Sequence, residues 1–304
     1  MFNKGGLFNP NQNQQSPQDP RAQWVKKKVG GFDMILNPYD GGISAALYVQ
    51  GYREKAFMGI LQNTVSEGMT CLDLGGNIGY TTLYMCRGVG KTGKVYAIEP
   101  DPNSIELLRA NISESGYDEI CEVTQCAITD ENKTLDFWQA DKPNLSSVHK
   151  TKHSTEKISV EAYDLETFFE NRDFPNFIKM DVEGHEVAIF RGGLNYFSNN
   201  TDQPTSILLE VHPHFYGQDN DFESVLKDYF AIGFRPRFTV ATPVPQPRLF
   251  KEAGYEPVAD IETDGFHRGI YGEISPDDLL RFACRENIEG TSKKIVRSFM
   301  LSRD

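Results

Sequence analysis

At 304 residues, the chain is long enough to bury a sizeable core as one α/β domain with additions or as two small domains. Its net charge of -12, with a single short run of lysines at 26–28, argues against a general nucleic-acid surface, which needs clustered lysine and arginine. Its five cysteines show no C-x-x-C spacing and no apolar run could cross a bilayer, so we expect a soluble, cytoplasmic protein without disulfides or zinc.

The N-terminal part of the chain precedes the first strong strand signal. Residues 1–22 are rich in Asn, Gln, Pro and Gly, a composition typical of a disordered tail. Residues 23–66 are predicted to form a cover segment: turn residues such as Asn37-Pro38 interrupt short apolar pieces and indicate a hairpin, and 52–65 have helical spacing. We therefore expect the main domain to begin near residue 67.

Strands and helices alternate from residue 67 to residue 275. The predicted strands are 70–74, 94–99, 122–128, 177–180, 206–211, 235–240 and 269–274. The predicted helices are 79–87, 102–115, 165–171, 185–191 and 222–231, and an extra antiparallel pair is predicted at 134–138 and 157–162. This alternation implies an α/β fold with a doubly wound, mostly parallel sheet, in which we also expect an antiparallel late strand. Residues 276–304 are expected to form a helical extension.

A glycine-rich turn follows the first strand of this domain, in the sequence TCLDLGGNIGY from 70 to 80. The next predicted strand ends in a second carboxylate, Glu99. A strand, a glycine turn, a helix and a strand ending in a carboxylate form the layout of nucleoside-cofactor sites. The glycines let backbone approach a ligand closely, and Glu99 can accept hydrogen bonds from both hydroxyls of a ribose. The sequence therefore predicts a nucleoside-bearing cofactor.

The glycine spacing distinguishes between cofactors. Gly75, Gly76 and Gly79 give D-x-G-G-x-x-G, whereas a dinucleotide site needs G-x-G-x-x-G. Asp73 would also repel a pyrophosphate, but it suits the ammonium group of S-adenosylmethionine (SAM), which carries a ribose and no phosphate. Ligands of parallel sheets lie outside the carboxyl ends of the strands. We therefore predict SAM, with these cofactor-binding residues: Asp73, Gly75, Gly76, Asn77, Gly79, Tyr80, Glu99 and Ala127.

Polar residues also follow two later strands, in IKMDVEGHE from 178 to 186 and ILLEVHPH from 207 to 214. In the predicted fold, Asp181, Glu183 and His212 converge beside the cofactor. Methyl transfer from a sulfonium depends mainly on positioning, and a hydroxyl acceptor must also lose its proton to a histidine or a carboxylate. We predict these three residues as catalytic, and one of them as the group that takes the proton.

Other interpretations of these three residues remain open. Asp181 and Glu183 could cap the following helix, where carboxylates are favoured by exposed N–H groups. His212 could be a hydrogen-bonded structural histidine. Their oxygen and nitrogen atoms would also admit a divalent metal, although nothing in their spacing requires one.

Five motifs resemble, in this order, the FkbM family of SAM-dependent methyltransferases: DLGGNIGYTT, AIEPDP, SVEAYDLETFF, IKMDVEGHEVAIFRGG and ILLEVHP. The resemblance covers roughly residues 52–214 and implies a class I methyltransferase (Rossmann-like) fold and methylation of a hydroxyl, commonly on a sugar or polyketide-type acceptor. It implies SAM contacts from Asp73, Gly75, Asn77, Gly79 and Glu99, and an acceptor side lined by Asp181, Glu183 and His212. Ser146 and Ser147 resemble a serine-bearing loop that closes over the site. Gly76 departs from the alanine usual there.

Two other functions remain open on the sequence. A Rossmann-type NAD-dependent oxidoreductase is disfavoured by the missing G-x-G-x-x-G and by Asp73 ahead of the turn. A non-catalytic SAM-binding module would be expected to lack the acceptor-side residues, which are present. The predicted function is therefore SAM-dependent O-methylation of a hydroxyl on a sugar, glycan or small metabolite, without nucleic acid and without a membrane span.

Overall fold

The computed structural model describes residues 20–243, 246–285 and 294–304. In chain order, its strands are β1 (Val25–Val29), β2 (Phe32–Leu36), β3 (Thr70–Leu74), β4 (Lys94–Ile98), β5 (Cys121–Thr124), β6 (Ala127–Ile128), β7 (Lys133–Ala140), β8 (Ser154–Tyr163), β9 (Phe177–Met180), β10 (Thr205–Glu210), β11 (Arg235–Ala241), β12 (Ala259–Thr263), β13 (Phe266–Gly272) and β14 (Val296–Arg303). Its helices are α1 (Ile43–Gln50), α2 (Lys55–Thr64), α3 (Tyr80–Val89), α4 (Pro102–Glu114), α5 (Leu165–Phe169), α6 (Glu186–Ser198), α7 (Phe222–Ala231), α8 (Gln246–Glu252) and α9 (Pro276–Ala283).

One sheet dominates the described part of the chain. Its nine strands lie in the order β12-β13-β11-β14-β10-β9-β3-β4-β5. Strands β10, β9, β3, β4 and β5 are parallel, whereas β14 is antiparallel to both of its neighbours, β10 and β11. Strands β13 and β12 continue the sheet as an antiparallel hairpin at its edge. The predicted doubly wound, mostly parallel sheet with an antiparallel late strand is therefore confirmed.

Helices cover both faces of the parallel half, which explains why its strands are buried on both sides. Successive side chains of a strand point to opposite faces. Cys71 and Phe177 therefore lie in one apolar cluster with residues of α2, α3 and α4, whereas Leu72 and Ile178 lie in a second cluster with residues of α5, α6 and α7. The two clusters hold the strand ends at one edge of the sheet in a fixed relation to one another.

The cover segment contains a hairpin of β1 and β2, which pair antiparallel, but its turn is Gly30-Gly31 and the expected turn residues Asn37-Pro38 follow β2. The buried Asn111 side chain on α4 attaches this hairpin to the domain. Its Oδ1 accepts from the backbone N–H of Ile35 at 2.6 Å, and its Nδ2 donates to the carbonyls of Ile35 at 3.1 Å and Ile78 at 2.8 Å. A single amide thereby connects the cover segment to the glycine turn.

The structure differs from the sequence-based expectations at two strands. The predicted strand 122–128 is divided, because only Cys121–Thr124 joins the main sheet, whereas Ala127–Ile128 pairs with β8 in a separate three-stranded sheet with β7. The predicted helical extension 276–304 is wrong beyond α9, since Val296–Arg303 is strand β14 between β10 and β11. A strand buried on both faces lacks the alternation that identifies strands from sequence. The expected domain limit at 275 therefore cuts through the sheet.

The predicted disordered tail, 1–22, lies outside the described residues up to residue 19, and its last residues begin the 3₁₀ turn Pro20–Gln23.

Within the described ranges, none of the helices combines the length and the hydrophobicity that crossing a bilayer demands.

Candidate active site

An open cleft lies at the carboxyl ends of β3, β4 and β9. This is the edge at which parallel sheets bind their ligands. Of the predicted cofactor-binding residues, those that line the cleft are Gly75, Gly76, Asn77, Tyr80, Glu99 and Ala127. Of the predicted catalytic residues, Asp181 and Glu183 line it. The tertiary structure therefore brings most of both predicted groups to one cavity.

The glycine turn is held against the next strand by its own backbone. The N–H groups of Gly75 and Gly76 both donate to the Ile98 carbonyl, at 3.0 and 2.9 Å. Gly75 has a φ of +75°, and a Cβ there would lie 2.0 Å from the backbone oxygen of Asp181. Only glycine satisfies both the dihedral angle and the close approach. Gly75 is thus the point at which the glycine turn and the segment after β9 touch.

Two further residues of the turn, Asn77 and Gly79, have the left-handed backbone conformation. Asn77 has a φ of 47°, and its Oδ1 accepts from the N–H of Ile78 at 2.9 Å, a local bond that helps asparagine adopt this conformation. Gly79, with a φ of +90°, does not line the cleft; a Cβ there would lie 2.8 Å from Cδ1 of Leu108. Gly79 therefore permits close packing of α3 on α4 and is not placed against a ligand.

Glu99 is anchored by the backbone of two neighbouring segments. Its Oε2 accepts from the N–H of Asn77 and its Oε1 from the N–H of Asp101, each at 2.8 Å. Burial raises the pKa of Glu99 to about 7, although the bonds from these N–H groups oppose the rise. A carboxylate oxygen has more than one acceptor position, so both oxygens retain capacity toward the cleft. Glu99 is held rigidly and can still accept two hydroxyl groups.

The structure corrects the role expected for Asp73. Its side chain is fully buried, does not line the cleft, and forms an ion pair with Lys179 at 3.0 Å between Oδ1 and Nζ. Its Oδ2 accepts from the hydroxyls of Thr81 at 2.9 Å and Thr82 at 2.7 Å. The same ammonium of Lys179 donates to the Gly75 carbonyl at 2.6 Å. Asp73 therefore stabilises the turn through Lys179 and the two threonines, and it does not face a ligand's ammonium group.

A tight turn after β9 presents Asp181 and Glu183 to the cleft. Glu183 has a φ of 48°, and a Cβ on Gly184 would lie 2.3 Å from the ring of Phe215. The loop between β7 and β8 holds this turn, because the Ser147 hydroxyl donates to the Glu183 carbonyl at 2.7 Å. The predicted serine-bearing loop, with Ser146 among the lining residues, therefore forms one wall of the cleft.

His212 lies behind the two carboxylates and is only 5% exposed. Its Nε2 is 3.5 Å from Oε2 of Glu183 and 4.0 Å from Oδ1 of Asp181. Its Nδ1 is bound to Oε1 of Glu186 at 2.7 Å, and the Tyr216 hydroxyl donates to the other oxygen of Glu186 at 3.2 Å. Sequence reasoning missed Glu186 as a partner of His212, although it is the final residue of the quoted motif IKMDVEGHE.

The charges around His212 decide its protonation state. Burial lowers the pKa of His212, but Glu186 and the neighbouring carboxylates outweigh it and raise the pKa to about 10. Burial raises the pKa of Glu183 to about 8, while the charge of His212 acts in the opposite direction. His212 therefore carries a proton at neutral pH and cannot accept another. The carboxylate of Glu183, which lines the cleft, has the basicity that a proton acceptor needs.

Charged residues from distant segments surround this group. Burial raises the pKa of Glu210, but Arg297 and Lys294 outweigh it and lower that pKa to about 2. Their nitrogens lie 2.8 and 3.1 Å from the Glu210 carboxylate. Arg297 also binds Glu54 at 2.5 Å. Glu210 ends a strand that the sequence predicts, whereas Glu54 precedes α2, Lys294 precedes β14 and Arg297 lies in β14, so no local sequence pattern could have indicated these three partners.

The donor set fits a divalent metal poorly. Asp181, Glu210 and His212 each have one ligand atom within 4.8 Å of the others. However, the two oxygens of Glu210 are already bound to Lys294 and Arg297. Asp181 and Glu183 remain, but Nε2 of His212 carries a proton beside them, which it would have to lose before it could bind a metal. No chemical step therefore requires a metal.

Residues 73–236, more than half of the chain, match the family model described as the methyltransferase FkbM domain. A stretch of 59 residues is 37% identical to a protein-L-isoaspartate O-methyltransferase of Methanococcoides burtonii and covers 19% of this chain and 29% of that protein. A stretch of 51 residues is 39% identical to a protein of the same name from Methanothrix thermoacetophila, over 17% of this chain and 24% of that protein. The chain thus spans less than a third of the length of these curated relatives.

Two solved structures are also similar to this chain. A methyltransferase FkbM from Methylobacillus flagellatus KT matches 68% of this chain and 44% of its own, with a TM-score of 0.41 and 14% identity. An O-methyltransferase from Bacillus cereus, solved in complex with SAH, matches 73% of this chain and 80% of its own, with a TM-score of 0.38 and 13% identity. The family match includes the glycine turn, Glu99 and the segments 178–186 and 207–214. The chain belongs to the FkbM methyltransferase family.

Proposed function

We propose that this protein is a SAM-dependent methyltransferase that methylates a hydroxyl group of a sugar, a glycan or a small metabolite. The observation that carries the proposal is the arrangement of one cleft. Glu99, with spare acceptor capacity, lies after β4, and the carboxylates of Asp181 and Glu183 lie after β9. Membership of the FkbM family supports the methyl transfer, and the two sets of carboxylates divide the cleft into a cofactor side and an acceptor side.

The residues of the cofactor side fit SAM. SAM would supply an electrophilic methyl group, a ribose and an adenine base. Glu99 is suited to accept hydrogen bonds from the two ribose hydroxyls, and the backbone at Gly75 leaves room that a Cβ would occupy. Apolar side chains of Ile98, Ala127 and Phe137 line the same cleft and would pack against a flat base.

The residues of the acceptor side fit removal of a proton from a hydroxyl. SAM would supply the methyl group and leave as the neutral thioether, and the proton of the acceptor hydroxyl would pass to the carboxylate of Glu183, whose pKa burial raises to about 8. His212 would remain protonated and hold Glu183 and Asp181 in place, oriented in turn by Glu186. We therefore assign Glu183 as the proton acceptor and His212 and Glu186 as positioning residues.

A methyl-transfer assay with radiolabelled SAM tests the proposal, using a panel of glycans and small hydroxylated metabolites. Isothermal titration with SAM and with NAD would run in parallel. We expect SAM to bind and at least one hydroxyl acceptor to become labelled, with the same rate in the presence of EDTA. Tight binding of NAD without binding of SAM would overturn the proposal in favour of an oxidoreductase. Label found only on nitrogen or sulfur would overturn the assignment of the acceptor atom.

A further inference from the structure

His185 lines the cleft, and the proposed mechanism gives it no role. It immediately precedes α6, and its ring lies beside the segment that follows β6, because its Nε2 is 3.0 Å from the hydroxyl oxygen of Thr129. Thr129 is two residues past Ala127, which lines the same cleft. The imidazole therefore lies in the part of the cleft against which a flat base would pack.

The protonation state of His185 follows from its surroundings. Burial lowers the pKa of His185 to about 4, and the nearby His149 acts in the same direction. His185 is therefore neutral at neutral pH, unlike His212, which carries a proton. A neutral imidazole has one N–H group and one nitrogen with a free lone pair, so its hydrogen bonds depend on which nitrogen holds the proton.

A chain of hydrogen bonds fixes the position of that proton. The ammonium of Lys133 lies 2.6 Å from Oδ1 of Asp130, and the Thr129 hydroxyl donates to the same oxygen at 3.0 Å. Burial raises the pKa of Asp130, but these two bonds outweigh it and lower the pKa, so Asp130 is a carboxylate and can only accept. Because the Thr129 proton is directed to Asp130, the Thr129 oxygen accepts from Nε2–H of His185. The lone pair of His185 is therefore on Nδ1.

Nδ1 of His185 is the ring nitrogen that is available to a ligand. The two nitrogens of an imidazole point in different directions, so Nδ1 faces away from Thr129. Within the described ranges no group of the protein forms a hydrogen bond with Nδ1, and Nδ1 is not shut off from solvent. Ile128, which adjoins Thr129, and Ile189, one helical turn after His185, line the same cleft. This wall therefore presents a hydrogen-bond acceptor in an apolar setting, the combination by which small-molecule sites orient a ligand.

We propose that Nδ1 of His185 accepts a hydrogen bond from the exocyclic amino group of adenine and thereby determines which base the cleft selects. The inference rests on the proposed function, because it takes the cleft to bind SAM. Adenine has flat apolar faces and an N–H donor at its edge, which match an apolar wall with an acceptor. Hypoxanthine has a carbonyl oxygen at the position of that amino group, and this oxygen would face the lone pair of Nδ1 with no proton between them.

Titration calorimetry with S-adenosylhomocysteine and S-inosylhomocysteine, which differ only in the base, tests the assignment. We expect the wild type to bind the adenine compound about 10–100-fold more tightly. In His185→Leu, which removes the nitrogen and keeps an apolar side chain, this preference should fall to less than about threefold. His267→Leu is the matched control, since 72% of the His267 side chain is exposed and it does not line the cleft. Equal binding of both compounds by the wild type, or an unchanged preference in His185→Leu, would overturn the assignment.

A second pair of variants tests the position of the proton, and it decides the matter even if His185→Leu does not fold. Thr129→Val keeps the shape of the side chain and removes the hydroxyl that accepts from Nε2–H, so the proton of His185 can move to Nδ1. The preference for the adenine compound should fall by about 3–10-fold although His185 is present, whereas Thr129→Ser should behave as the wild type. A wild-type preference in Thr129→Val would contradict the assignment.

Nitrogen NMR of histidine-labelled protein separates ligand binding from a structural role. At neutral pH, the ring of His185 should show one protonated and one unprotonated nitrogen. S-adenosylhomocysteine should move the signal of the unprotonated nitrogen in the direction of a hydrogen-bonded one, and S-inosylhomocysteine should not. Two protonated nitrogens at neutral pH, or no movement with S-adenosylhomocysteine, would overturn the inference.

Failure of this inference differs from failure of the proposed function. Binding of S-adenosylhomocysteine that does not depend on His185 would contradict the inference and leave methyl transfer intact. A protein that binds neither compound would contradict the proposed function itself, because the cleft would then not be a SAM site.

Discussion

The two sides of the cleft are built in different ways. The cofactor side consists largely of backbone: the glycine turn after β3 donates to the Ile98 carbonyl, and Glu99 accepts from the backbone N–H groups of Asn77 and Asp101. The acceptor side consists of charged side chains from four separated segments, which meet around His212. Backbone geometry suits a ligand that is common to a whole family, whereas a cluster of side chains can be altered residue by residue to suit one acceptor.

Replacing Gly75 should have the largest effect, because it is where the two sides touch. In Gly75→Ala, the new Cβ would approach the backbone oxygen of Asp181 at 2.0 Å and the residue would keep a positive φ. We expect SAM binding to be abolished, with a fall in Tm, measured by titration calorimetry and thermal unfolding. Gly59→Ala is the matched control, since a Cβ there meets no atom within 4 Å. Normal SAM binding by Gly75→Ala would show that the turn and the 181–183 segment are not coupled.

Removing the proposed proton acceptor should affect only the acceptor side. Glu183→Gln keeps the shape of the side chain and removes its basicity, so kcat should fall by about 10²–10⁴-fold while the Kd for SAM changes by less than about threefold. The control is Glu131→Gln, a carboxylate with 73% of its side chain exposed. A variant that lost SAM affinity in proportion to kcat would mean that the two sides are not separate.

The converse test concerns the cofactor side. Glu99→Gln would place an amide NH₂ against the N–H of Asn77 or Asp101, so one backbone bond is lost together with the charge. We expect SAM affinity to fall by about 10–100-fold, with kcat at saturating SAM nearly unchanged. Glu106→Gln, at an exposed position of α4, should behave as the wild type. A fall in kcat at saturating SAM would instead place Glu99 in the chemical step.

The smallest predicted effect is a change in pH dependence. If Glu183 accepts the proton, kcat should rise with pH through about 8, because the acceptor must be deprotonated. The charge of His212 lowers the pKa of Glu183. In His212→Gln, the rise of kcat with pH should therefore move to higher pH, by about one unit. The pH profiles of the two proteins, with Glu183→Gln as a third, provide the measurement. If the rise of kcat moved to lower pH in His212→Gln, the proposed roles of Glu183 and His212 would be contradicted.

The parts of the site that could be predicted are those with local signals. Asn77 and Glu99 lie in the motifs that indicated them, and Asp181 and Glu183 follow a strand whose end could be located. The error at Asp73 has a physical cause: a carboxylate before a glycine turn could face a ligand or a buried lysine, and the partner, Lys179, is on a different strand. His212 was expected at the site, and its position behind the carboxylates depends on Glu186.

The sequence by itself determined most of the strand and helix alternation from β3 to α7, the glycine turn and the acidic residues at the strand ends, because each depends on neighbours along the chain. Only the tertiary structure decided that β14 lies inside the sheet, since a strand buried on both faces carries no alternation. The same strand brings Arg297 to Glu210 and Glu54. Those ion pairs form only when segments distant in sequence are packed together.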